Sequence, residues 1–266
     1  QFAPSVTVSD SGRVIVAWYG NCCPNVINYM YSDDSGVNWQ GPLPMTTPSM
    51  VNQSYLPDLA TIPGTGGTST IVAVWYGVLT GGPWGIHFQK SADNGLTWSA
   101  PRLIKQDYWN SSIAANSEKL VLAWQESRFT DGPDGFGQWN NDIWYSSSAD
   151  EGETWSFPVQ TTRYEGWDGD AALAAMSDGA FSLAWASNRR RSSPQYTLDQ
   201  SIWFTEIGVR QDASPPPSIW RVEHFPVTNP QEGKDVTVVA RVDDESSDPV
   251  TTTLMWSVDG VSQAPL

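Results

Sequence analysis

The stretch that decides the fold reads Ser32-Asp33-Asp34-Ser35-Gly36-Val37-Asn38-Trp39. It returns as Ser91-Ala92-Asp93-Asn94-Gly95-Leu96-Thr97-Trp98 and again as Ser148-Ala149-Asp150-Glu151-Gly152-Glu153-Thr154-Trp155. The shared pattern is Ser-x-Asp-x-Gly-x-(Thr/Asn)-Trp, with 59 residues from Ser32 to Ser91 and 57 from Ser91 to Ser148. A second phrase, an apolar run closed by Trp18, Trp75, Trp124 or Trp185, recurs over 14–18, 71–75, 120–124 and 181–185. Two phrases repeated in one order mark an architecture of successive similar units.

Outward from these phrases, each unit reads as four short strands. The apolar run is the second strand, short and rich in β-branched residues. The third precedes the Asp phrase, over 27–31, 86–89, 143–147 and 202–205. The first lies across a turn such as 9–12 or 176–179, and the fourth follows the Trp and ends near Pro42, Pro101 or Pro158. No segment carries helical periodicity over three turns. Four-stranded sheets repeating at this length predict a β-propeller. In each hairpin the Asp accepts N–H groups of its own turn and the Gly supplies a positive φ. The Trp folds back onto the blade.

The three phrases resemble the Asp-box, or bacterial neuraminidase repeat, of the sialidase family. The resemblance covers roughly residues 3–212, four blades, and the fourth lacks both the box and a clear outer strand. It gives Ser32, Asp34, Gly36, Trp39, Ser91, Asp93, Gly95, Trp98, Ser148, Asp150, Gly152 and Trp155 structural roles. It also implies a six-bladed ring, so further blades, closure by four, or cover from another chain all stay open. The family's active site lies on the face away from the boxes. There three Arg clamp a substrate carboxylate, a Tyr polarised by a Glu is the nucleophile, and an Asp serves as acid/base.

On that face fall the loops 19–25, 76–85, 125–142 and 186–200, joined by the inter-blade stretches 43–56, 104–112 and 160–170. The catalytic candidates are Glu126, Arg128, Tyr164 and Arg189. Candidate ligand contacts are Arg163, Arg190, Trp84, Trp109, Trp139 and Trp167, the tryptophans able to stack on sugar or pack on protein. Asp58, Asp107, Asp168 and Asp170 are further acids there. The family's Arg-Ile-Pro motif is absent, so no catalytic role carries over by motif. Asp131, Asp134 and Asp142 lie in an oxygen-rich stretch suited to Ca²⁺, with ordinary turn chemistry as the alternative. No cofactor is required. His87 and His224 lie in no triad or metal pattern and read as structural.

The chain has 266 residues, 29 Asp+Glu against 14 Lys+Arg, and a formal net charge of −15. That acidity argues against nucleic acid or an anionic membrane surface as partner. No apolar run is long enough to span a bilayer as a helix. The first residue is Gln1, which suggests a processed or excerpted chain. Cys22 and Cys23 are adjacent and read either as a vicinal disulfide or as two loop thiols. Asn52 and Asn110 head glycosylation triplets.

Residues 213–218 form a Pro-rich linker after the propeller of 1–212. Beyond it, 219–266 resembles part of an immunoglobulin-like sandwich, with alternating runs over 235–242 and 251–258. It is too short to be whole, so truncation is expected. The sequence therefore reads as an all-β chain, a propeller with four visible blades and a partial Ig-like module, at the cell surface or outside the cell. The expected function is binding of glycan or surface protein through the loop face, without catalysis. The alternatives are an exo-sialidase-like glycoside hydrolase and a structural subunit of a surface assembly, with self-assembly or further domains as partners.

Overall fold

The structure is a computed structural model. It describes residues 2–20, 24–131, 137–163, 167–188, 201–207, 218–225, 237–243, 257–258 and 261–262, the side chains of 128–140 and of residues beyond 207 excepted. The chain divides into two units, Gln1–Val209 and Arg210–Leu266.

The first unit is a run of four antiparallel sheets, each a meander in chain order. Blade 1 is β1 (Phe2–Val8), β2 (Val14–Tyr19), β3 (Ile27–Ser32) and β4 (Gln40–Pro44). Blade 2 is β5 (Val51–Ile62), β6 (Thr70–Leu79), β7 (Trp84–Ser91) and β8 (Arg102–Gln106). Blade 3 is β9 (Trp109–Ala115), β10 (Leu120–Asp131), β11 (Gly137–Ser148) and β12 (Val159–Gln160). Blade 4 has three strands among the described residues, β13 (Asp168–Ala175), β14 (Phe181–Ser187) and β15 (Ser201–Ile207). The first strands pack in sequence, β1 on β5, β5 on β9 and β9 on β13, while among the described residues no comparable packing joins β13 back to β1. This is the four-bladed propeller arrangement that the repeats predicted.

Two sequence readings need correction. In blades 2 and 3 the fourth strands begin just after their prolines and do not end there: β8 follows Pro101 and β12 follows Pro158, whereas β4 contains Pro42 and ends two residues beyond it. The stretches 76–85 and 125–142, read as loops, are mostly strand. β6 and β7 pair as far as Val78 with Trp84, and β10 and β11 as far as Asp131 with Gly137. The backbone pairing thus extends well beyond the apolar run in both blades.

Successive blades are glued by the second phrase. Ile15, Ala17, Ile27 and Tyr29 of blade 1 bury against Leu59, Ile71, Ala73 and Trp75 of blade 2. Val72, Val74, Ile86 and Phe88 of blade 2 meet Ile113, Leu120, Leu122 and Trp124 of blade 3. Val121, Ala123 and Ile143 of blade 3 meet Phe181, Leu183 and Trp185 of blade 4. The apolar runs of blades 2 and 3 are therefore buried on both faces, which explains their unbroken hydrophobicity. The two outermost faces lack this cover. Ile143 is 0% exposed, yet Ile202 at the same repeat position in blade 4 is 74% exposed. Leu59 is 5% exposed, and its blade 1 counterpart Val6 is 61%.

Polar links repeat at the inner strands as well. The Leu59 N–H donates to Ser5 Oγ at 3.0 Å, Ile113 N–H to Asp58 Oδ2 at 2.9 Å, and Leu173 N–H to Ser112 Oγ at 3.1 Å. Asp58 also accepts Ser5 Oγ–H at 2.8 Å and Ser112 Oγ–H at 2.9 Å, so one carboxylate ties three blades. Just ahead of these positions, Ala3, Leu56, Asn110 and Asp170 all have left-handed φ, between 47° and 52°. Each sits at a break in register against the second strand. The bulge re-aims the residue before it.

In the second unit β16 (Ser218–Phe225) pairs with β17 (Thr237–Asp243), and β18 (Ser257–Val258) with β19 (Val261–Ser262). Strand β16 was not foreseen from the sequence, and of the run 251–258 only Ser257–Val258 is described as strand. An Ig-like sandwich is not evident in these ribbons. Residues 213–217 and Cys22 and Cys23 lie outside the described residues.

Candidate functional site

Blade connectivity separates two ends. The tripled hairpins join third to fourth strands, beside the turns joining first to second. There Ser32 Oγ–H donates to Asp34 Oδ1 at 2.8 Å and accepts Gly36 N–H at 2.8 Å. Asp34 accepts Asn38 N–H at 2.8 Å and Asn38 Nδ2–H at 2.6 Å. The second and third hairpins repeat this with Thr97 and Thr154 in place of Asn38. Those bonds hold the Asp34 and Asp150 carboxyls down at about 2. For Asp93 the largest influence is burial, which raises the pKa, but the bonds from Ser91 and Thr97 outweigh it and the net shift is downward.

These hairpins also grip the preceding blade. Trp98 packs into the core between blades 1 and 2, and Trp155 into that between blades 2 and 3. Arg102 donates to the carbonyls of Gly152 and Glu153, and Lys90 pairs with Glu153 at 2.8 Å. Arg13 pairs with Asp33 at 2.6 Å and reaches the Asn94 carbonyl. This end is thus occupied with holding blades together, and it engages both Arg13 and Arg102.

The opposite end carries a shelf of aromatic rings. Phe2 stacks on Tyr19 with centroids 5.5 Å apart, and Tyr19 meets Tyr55 edge-on at 5.3 Å. Tyr55 stacks on Trp84 at 6.3 Å, and Trp84 on Tyr76 at 5.1 Å. Five rings from blades 1 and 2 therefore form one contiguous surface, with Phe2 49% and Trp84 39% exposed at separate points along it. Gln53 Oε1 accepts the Tyr55 hydroxyl at 2.8 Å and fixes that ring.

The bulges supply this shelf. The residues just before the left-handed positions are Phe2, Tyr55, Trp109 and Gly169, aromatic in three blades of four. A Cβ on Gly169 would lie 2.4 Å from the Trp167 ring, so the glycine makes room for Trp167 in place of a fourth aromatic of its own. Phe2, Tyr19, Tyr55 and Tyr76 were not among the candidates drawn from sequence. For Phe2 and Tyr55 the signal was an aromatic just before the bulge of the first strand, shared with Trp109, which is visible only once the bulges are aligned.

Acids lie on the same end, among them exposed Asp107 and Asp170. The Asp107 N–H donates to the Trp84 carbonyl at 3.0 Å, which fixes the Asp107 backbone beside that of Trp84. Asn110 Nδ2–H donates to Asp170 Oδ1 at 2.8 Å across blades 3 and 4. Lys105 Nζ lies 4.8 Å from the Trp124 ring. Burial lowers the Lys105 pKa, and the nearby Glu126 charge opposes that shift. Burial raises the Tyr108 phenol, with Glu126 and Asp107 adding to it. Tyr76 is raised by burial and then by Asp107.

Of the sequence candidates, Trp84 and Trp109 lie on strands β7 and β9 and not in loops, both exposed on the shelf's end. Trp167 is half-buried, and its N–H donates to Asn188 Oδ1 at 3.1 Å. Exposed Arg163 donates from Nε to Gln160 Oε1 at 3.3 Å. Glu126 lies in β10 opposite Asp142 of β11. Asp142, read as a calcium ligand in a loop, is instead a fully buried strand residue that accepts Gln160 Nε2–H at 3.0 Å and Thr162 Oγ1–H at 3.3 Å. Among the described residues, no group of acids, His or Cys is placed to hold a metal. Arg128, Asp131 and Trp139 belong to β10 and β11, but their side chains lie outside those described. Asp134, Tyr164, Arg189 and Arg190 lie outside the described residues.

No protein-family model matches the chain, and no curated protein matches it. Solved structures do. An α-L-arabinanase of Penicillium chrysogenum, complexed with arabinobiose, is 16% identical with a TM-score of 0.53, over 77% of this chain and 62% of its own. An α-L-arabinofuranosidase of Fusarium graminearum, also with arabinobiose, has the same identity and TM-score, over 77% of this chain and 60% of its own. A Hadza microbial sialidase is 18% identical with a TM-score of 0.49, over 76% of this chain and 44% of its own. The likeness is one of fold. The chain is similar to these β-propellers and spans about 60% of the length of the first two.

Proposed function

We propose that the chain is a carbohydrate-binding β-propeller whose ligand lies on the aromatic shelf, that it binds without hydrolysis, and that it acts outside the cell or on its surface. The observation that carries this is the contiguous run Phe2–Tyr19–Tyr55–Trp84–Tyr76 on the end away from the tripled hairpins. Sugar rings offer C–H faces that stack on aromatic surfaces, and the exposed rings are held rigid by their neighbours, which lowers the ordering cost of binding. The arabinobiose of the two fungal propellers is consistent with a sugar ligand here. In this reading the tripled hairpins are Asp-box repeats of the sialidase-like kind, and residues 219–266 are part of an Ig-like module.

One feature favours binding over catalysis. Arg13 and Arg102 are engaged at the hairpin end, so neither serves a carboxylate clamp on the shelf. The test is isothermal titration of the full chain with a panel of oligosaccharides, beside an assay for release from fluorogenic glycosides. Saturable heat with no release is expected. Turnover of a sialoside that Arg128→Ala abolishes would establish the hydrolase reading in its place. Absence of binding to every sugar would end the proposal.

A further inference from the structure

We infer that the shelf selects neutral oligosaccharides over anionic ones and engages more than one sugar of a chain. This rests on the binding reading above and adds the ligand class.

The selection follows from what borders the rings. The Asp107 backbone is anchored to that of Trp84 through its N–H, and the Asp107 side chain is exposed. Glu126 and Asp107 both bear on Tyr108, and Asp107 bears on Tyr76, so these acids act on one neighbourhood. Asp170, also exposed, faces Asn110 at the bulges of blades 3 and 4. An exposed carboxylate accepts hydrogen bonds from two hydroxyls and donates none while ionised. Beside an aromatic face this suits the vicinal hydroxyls of an uncharged sugar. A sialic or uronic carboxylate placed there meets like charge, and the amide donors beside these acids, Gln106 Nε2 and Asn110 Nδ2, are already engaged by Asp107 and Asp170. Two cations described on this chain are already engaged: Lys105 lies over Trp124 near Glu126, and Arg163 donates to Gln160. The chain's net charge of −15 adds long-range repulsion for polyanions.

Length selection follows from the order of rings. Phe2 and Trp84 are the exposed members, and Tyr19 and Tyr55 stand between them. A single sugar covers one exposed ring, whereas a longer chain reaches both.

The experiment titrates the full chain, by tryptophan fluorescence and calorimetry, with neutral arabino- and xylo-oligosaccharides of two to five units. Sialyllactose and an oligogalacturonide form the anionic arm. Neutral ligands should bind, more tightly as length increases. Trp84→Ala should weaken the best of them roughly tenfold or more, the scale of one lost aromatic contact. Phe2→Ala, at an exposed site whose truncation leaves the core intact, should erase the gain with length while sparing the shortest ligand. Asp107→Asn should weaken neutral binding and improve anionic binding. Preference for the anionic arm, or affinity independent of length, overturns this inference while leaving carbohydrate binding in place. Binding in neither arm overturns both.

Discussion

At Gly152 an added Cβ would stand 2.5 Å from the Phe88 ring, and φ is +87°, where side chains are disfavoured. Gly12 has a similar φ of +82° but open space around it. The pair separates conformational strain from steric strain. Gly12→Ala should cost about 1 kcal/mol and Gly152→Ala roughly 2–4 kcal/mol, read from denaturant unfolding. His87 offers a second residue-scale test. It is fully buried, stacks on Trp75 at 4.4 Å and bonds the Gly85 carbonyl through Nδ1, and burial lowers its pKa to about 4. The folded state therefore favours neutral His87, and the unfolded chain takes up the proton first as pH falls. Its contribution is complete above the ordinary value of 6.5, declines down to about 4, and is gone below that. The loss should approach about 3 kcal/mol, and His87→Phe should flatten that part of a melting-temperature profile. Below it, protonation of Asp34 and Asp150 between 3.8 and about 2 removes hairpin stability.

Among elements, the first strands carry the links between blades. Asp58→Ala leaves the Ile113 N–H and the hydroxyls of Ser5 and Ser112 without their acceptor, and should cost roughly 2–4 kcal/mol in chemical denaturation. Asp58→Asn should recover part of it, because one carbonyl oxygen remains as acceptor. The second and third strands were legible in the sequence because an apolar run buried on both faces is strongly constrained. The first strands were not. Their left-handed positions are Ala3, Leu56, Asn110 and Asp170, which share no residue type, and the bulge breaks the alternation that would betray a strand. The sequence offered Trp84 and Trp109 as ligand contacts but not Phe2, Tyr19 or Tyr55, because the contacts that unite these rings join residues distant in the chain. The strand-like extension of 125–142 was missed because Asp, Gly and Asn there read as turn residues.

Over the whole molecule, the blade contact used three times leaves one apolar face uncovered at each end of the series. Equivalent positions should therefore behave differently. Ile143→Ala should cost about 2–5 kcal/mol, and Ile202→Ala should stay within about 0.5 kcal/mol, by equilibrium unfolding. Ile202 and Phe204 together should also dominate binding of a hydrophobic dye, and a double Thr variant should reduce its fluorescence. The division into ends is what places the ligand: one end is spent on gripping neighbouring blades, the other presents rings and acids. The most direct measurement compares sugar titrations of Trp84→Ala and Trp39→Ala, each an exposed tryptophan, one on the shelf and one in the first hairpin. Loss of binding in Trp84→Ala with unchanged affinity in Trp39→Ala is the predicted result. Loss in Trp39→Ala with binding intact in Trp84→Ala would contradict it.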